Sequence, residues 1–162
     1  MRTGNAGRRS AALALAVTTV VLSACGSSGE SKKDFIARAN AICNNTTRDV
    51  ATVPAPSTSG TVTLPALARY LGAVAPIVAS EAKQLKALPR PTGDEATLRR
   101  YLAAVAATAA HYKALADAAR GGDRQAMGAA TAALRANPAP RLAAAYGLTE
   151  CTGPAGTVQT PR

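Results

Sequence analysis

Tryptophan is absent from this chain, phenylalanine and histidine occur once each, and only nine residues are acidic. Each shortage excludes something. One phenylalanine and four tyrosines make no row of aromatics on which bases could stack. The basic side chains are scattered rather than clustered, so nucleic acid is excluded as a partner. A single histidine, His111, leaves no His-rich metal cluster and no second imidazole for paired acid–base work. Glycine-rich phosphate loops, dinucleotide fingerprints, Gly-x-Ser-x-Gly and His-Glu-x-x-His are all missing, so no motif points to an enzyme or to a cofactor.

What the chain does have begins at its start. Arg2, Arg8 and Arg9 precede an apolar run, Ala11 to Leu22, whose only polar members are Thr18 and Thr19. As a helix such a run rises about 18 Å, too little for a hydrocarbon core of about 30 Å. It reads as a signal peptide rather than a membrane span. Leu22-Ser23-Ala24-Cys25 then resembles the lipobox of bacterial lipoproteins, in which the cysteine is lipidated and becomes the first residue of the mature protein. That resemblance implies a lipid anchor at Cys25 and a place on the extracytoplasmic face of the cell membrane. The competing reading is ordinary secretion with Cys25 left as a free thiol, a liability in an oxidising compartment. The Arg8-Arg9 pair raises twin-arginine export, but Ser10-Ala11-Ala12 lacks the bulky apolar residues usual there, which favours the general route. The expected organisation is a signal peptide over 1–24, the lipidated cysteine with a flexible tether over 25–31, a helical domain over 32–151 and a flexible tail over 152–162.

Without residues 1–24 the chain keeps sixteen basic against nine acidic side chains. On a tethered protein that excess suits anionic lipid or an anionic wall polymer as partner. Lys32, Lys33 and Arg38 follow the tether directly. They read as a solvated helix face that also lies within reach of lipid headgroups. Two cysteines remain, Cys43 and Cys151. In an exported chain an isolated pair forms a disulfide, and the rival, metal ligation, lacks four ligands even with His111 included.

Hydrophobic spacing predicts helices throughout. The first covers about 32–50, with Ser31 and Asp34 as a capping-box pair and Phe35, Ala39, Ile42, Cys43 and Val50 as its buried stripe. The second covers about 64–88 behind Thr63 as N-cap, with Leu67, Leu71, Val74, Val78 and Leu85 inward and Pro76 set to kink or split it. The third covers about 94–120, its start assigned to a Thr92–Glu95 capping box and its end to Gly121-Gly122. A fourth starts near Asp123, carries Met127, Ala130 and Leu134, breaks at Asn137-Pro138-Ala139-Pro140, and resumes over 141–146 until Gly147. The fold expected is all-α, an antiparallel bundle of about four helices pinned by one disulfide, and a monomer. Much of each stripe is alanine, so the core is thin and the disulfide correspondingly important.

Phe35-Ile36-Ala37-Arg38-Ala39-Asn40-Ala41-Ile42-Cys43 and Tyr146-Gly147-Leu148-Thr149-Glu150-Cys151 resemble the ends of small actinobacterial lipoproteins and secreted helical proteins, mostly uncharacterised. That resemblance implies a disulfide-pinned helical fold and no catalytic residues. The chain departs from it at Asn137-Pro138-Ala139-Pro140, where a continuous final helix is expected.

Three functional readings follow. The first is a non-catalytic binding or envelope role for a lipid-anchored bundle. The second is a carrier of a small amphipathic ligand in an inter-helix groove lined by Tyr70, Tyr101, Tyr112 and Tyr146; the simpler account of these tyrosines is a bundle rim with hydroxyls in water. The third is an enzyme using His111, whose nearest following acid, Asp117, lies off its helical face. Asp94-Glu95 is read as a helix N-terminus rather than a catalytic pair.

Overall fold

The computed structural model describes residues 30–57 and 61–153. The expected signal peptide, the expected lipidation site Cys25 and residues 154–162 of the expected tail lie outside the described residues. The fold is an all-α antiparallel bundle with no strand among the described residues. Helices α1 (Lys32–Ala51), α2 (Leu64–Ala87) and α3 (Glu95–Gly121) form three arms, and α4 (Arg124–Ala136) with α5 (Ala139–Tyr146) make a broken fourth, followed by a 3-10 turn, Thr149–Cys151. The longest packed seam joins α2 to α3; α4 and α5 cover α3, while α1 lies on α2 and on the 3-10 turn.

Local chemistry sets the boundaries. At α1 the Ser31 hydroxyl oxygen accepts the Asp34 N–H at 3.1 Å and donates its own proton to the Asp34 carboxylate at 2.6 Å. The shorter Asp side chain thus meets the Ser hydroxyl rather than the Ser backbone, a variant of the capping box. Thr63 caps α2 through the Ala66 N–H. Pro76 does not split α2, which runs unbroken from Leu64 to Ala87. The residue four positions back is Gly72, with open space about its Cα, and Pro76 itself is exposed, so the missing donor faces water.

The expected Thr92–Glu95 box does not form. Asp94 is the N-cap of α3 without a side-chain cap, and both Glu95 oxygens accept the Gly93 N–H, at 3.0 and 3.1 Å. The Asp94 carboxylate turns away to the Tyr146 hydroxyl, 2.7 Å distant. A long-range partner has displaced a local one. At the other end of the chain Gly147 (φ 93°) is left-handed, with Leu148 N–H bonded to Ala143 O and Gly147 N–H to Ala144 O. This is a Schellman stop, and it turns the chain from α5 towards α1.

Phe35, Ala39, Cys43, Leu85, Leu98, Leu102, Tyr146 and Leu148 make the main core, where all four arms meet. Nine of the 22 buried hydrophobic residues are alanine, which bury little area each. Cross-linking therefore carries more of the stability than in a leucine-rich bundle. Cys43 and Cys151 form that link, Cα to Cα 5.3 Å across 108 residues of sequence. The chain-entropy gain for so long a loop is about 4–5 kcal/mol at most. Asn40 reinforces it by accepting the Glu150 N–H at 3.2 Å.

Candidate functional site

Where the final arm breaks, the bundle opens. Asn137 ends α4, and its side chain fixes the break: Nδ2 donates to Ala104 O at 3.0 Å and Oδ1 accepts the Ala139 N–H at 2.8 Å. Between this break and the α2–α3 seam lies a cleft of about 310 Å³, at the small end of the ~300–1,000 Å³ usual for ligand sites. Val78 of α2, Val105 of α3 and Leu134 of α4 supply apolar walls. Glu81, Tyr101, Thr108, Tyr112, Arg135 and Asn137 supply polar groups.

Glu81 is the residue that sequence reasoning missed. It lies three positions after buried Val78 and four before buried Leu85, inside the buried stripe of α2. An acid at stripe spacing was a legible signal. Burial desolvates the carboxyl and pushes it up from the ordinary 4.5 to about 7, because a poor dielectric penalises the charged form. Among the described residues Glu81 takes part in no hydrogen bond or ion pair. Arg135, on the rim, is exposed and forms no ion pair with it.

Tyr101 is buried to 1% exposure, yet its hydroxyl has no hydrogen bond to another described residue. Burial, and secondarily the Glu81 charge, push its phenol well above the usual range. Tyr112 is raised by burial, then by Tyr70 and Glu81. Thr108 is satisfied, its hydroxyl donating to Ala104 O at 3.2 Å.

The four tyrosines named from sequence are therefore divided. Tyr101 and Tyr112 line the cleft. Tyr70 packs near Tyr112 in two smaller core clusters and lines a separate hollow with Val53, Pro54 and Arg69. Tyr146 shares the main core with Tyr101 but does not line the cleft. Its ring meets Phe35 edge-on, centroids 5.9 Å apart, Lys32 Nζ stands 4.3 Å over its face, and its hydroxyl is bound to Asp94. His111 is half-buried on α3 and lines none of these hollows. Asp117 is engaged by Lys113 at 2.6 Å and Arg120 at 3.0 Å, not by His111. No group of three or more metal-ligating side chains occurs among the described residues.

Two of the three basic residues at the start of α1 have partners within the fold. Arg38 pairs with Glu30 at 3.2 Å and Lys32 approaches Asp94 at 3.7 Å. Both cations are more than half exposed, so neither pair adds much stability. No helix among the described residues is long and apolar enough to cross a membrane.

The cleft thus combines apolar walls with a carboxyl and a phenol that no described residue satisfies. Such a pair can hold a polar head while the walls hold an apolar body. No family model, curated protein or solved structure matches the chain.

Proposed function

We propose that the protein is an exported, lipid-anchored binding protein that holds a small amphipathic molecule in the cleft between α2, α3 and the broken final arm. Cys25 supplies the anchor, and the short segment Gly26–Glu30 keeps the bundle within about 17 Å of the membrane surface even when fully extended. The role is non-catalytic. The observation that carries the reading is the cleft of about 310 Å³, on which unsatisfied polar groups and apolar walls converge at the break that Asn137 holds. Its size suits a compact molecule rather than a lipid with two acyl chains. The net positive charge of the domain favours an anionic membrane surface beneath it.

The reading is tested in two steps. Radiolabelled fatty acid is incorporated into the wild type and not into Cys25→Ala, which moves to the soluble fraction. A neutral fluorescent amphiphile, N-phenyl-1-naphthylamine, gains emission with the wild type and loses most of that gain in Val105→Trp, which fills the cleft. Labelling that survives loss of Cys25 overturns the anchor. Emission unchanged by the filled cleft overturns the site.

A further inference from the structure

The chemical class of the ligand follows from what the cleft leaves unpaired, granted that the cleft binds a ligand at all. Glu81 is its only acidic residue among the described residues, and a carboxylate accepts hydrogen bonds but donates none. The other ionisable groups beside it among the described residues are the phenols of Tyr101 and Tyr112 and the rim guanidinium of Arg135. The bundle provides Glu81 with no counter-ion among its described residues, although basic side chains outnumber acidic ones about two to one over the whole chain. A half-buried acid without a partner costs stability; an uncharged donor returns a hydrogen bond for that cost, and a cation returns hydrogen bonds and charge neutralisation together. An anion would meet repulsion at Glu81 itself. Aromatic faces next to a carboxylate are the usual surroundings of a bound ammonium group.

We propose that the cleft is a binding site for a small monocationic amine, its ammonium group against the Glu81 carboxylate and the rings of Tyr101 and Tyr112, its apolar body on Val78, Val105 and Leu134. The ammonium supplies the donors that Glu81 lacks, and the Tyr101 hydroxyl oxygen accepts a further one. Only the ionised carboxylate pairs with the amine, so near neutral pH binding expels a proton from Glu81 to solvent. The volume limits the body to about the size of one ring or a short chain.

The test is calorimetric titration of the purified protein with three probes that share one body: cyclohexylmethylamine, cyclohexylmethanol and cyclohexanecarboxylate. At pH 8 the amine binds about tenfold tighter than the alcohol, and the carboxylate binds weakest. Glu81→Gln abolishes the preference for the amine and keeps the alcohol. Should that variant fail to fold, the wild type at pH 7 gives the same answer: the heat of amine binding depends on the buffer's ionisation enthalpy, and that of alcohol binding does not. Equal affinities, tightest binding of the carboxylate, or amine binding without proton release overturns the amine assignment while the cleft remains a ligand site. Failure of all three probes to bind overturns the cleft itself, and this inference with it.

Discussion

Tyr146 and Tyr101 are both buried to within a few per cent of full burial and both lie near a carboxylate, yet they do opposite things. The Tyr146 hydroxyl is bound to Asp94 at 2.7 Å, which ties the end of α5 to the start of α3. Tyr101 is beside Glu81, and the two make no hydrogen bond to each other or to any other described residue. One pair closes the bundle where α3 begins and α5 ends, whereas the Cys43–Cys151 bridge reaches the cleft, which Cys151 helps to line. The other pair faces that cleft. Polar groups that satisfy one another hold a thin alanine-rich core together; polar groups left open inside it cost stability, and that cost is the ground on which the cleft is proposed as a ligand site.

The comparison can be broken at either end. The largest effect is expected at the bridge: Cys43→Ser with Cys151→Ser loses about 3–5 kcal/mol of unfolding free energy in a denaturant titration. A loss below about 1 kcal/mol would mean that packing, not cross-linking, holds the arms. At the open end Glu81 makes stability depend on pH. Its folded value, about 7, is raised above the ordinary 4.5, so the folded state binds the extra proton. Its contribution is fully present below about 4.5 and is lost as pH rises to about 7. The wild type therefore weakens across that window by up to about 3 kcal/mol, and Glu81→Gln removes this slope. A smaller effect, about 1–2 kcal/mol, is expected for Tyr146→Phe, which takes the phenol from Asp94 and leaves it only the Lys32 ion pair. Tyr101→Phe, lacking a partner to lose, costs less than about 0.5 kcal/mol in the same assay. His111→Ala changes stability by about 0.5 kcal/mol or less and leaves probe binding intact.

The fold was legible because its signals are periodic and local. Phe35, Ala39, Cys43 and Val50 are buried as their spacing requires, as are Leu71, Val74, Val78 and Leu85. Two cysteines at opposite ends of the helical region had one economical pairing, and they make it. What failed were choices decided by distant residues. Thr92 and Glu95 have the spacing of a capping box, but Asp94 is drawn to Tyr146, which lies 52 residues on, and the turn is rebuilt around Gly93. The tyrosine groove was half legible: all four rings occupy helical positions, and only the packing separates Tyr101 and Tyr112 from Tyr146. The Asn137–Pro140 break was visible as an interruption, but that it walls a cleft depends on Asn137 reaching Ala104 across the bundle. Glu81 was visible in principle. A single acid in an apolar stripe is easily passed over when the stripe is traced through its hydrophobic members alone.

The assignment of Glu81 as a desolvated carboxyl that answers to a cation in the cleft is what the ligand proposal stands on. It is tested most directly by following the Glu81 side-chain carboxyl by carbon-13 NMR as pH is varied, with and without cyclohexylmethylamine. A midpoint near 7 is expected in the free protein, falling when the amine is present. A midpoint near 4.5, indifferent to the amine, would contradict that assignment.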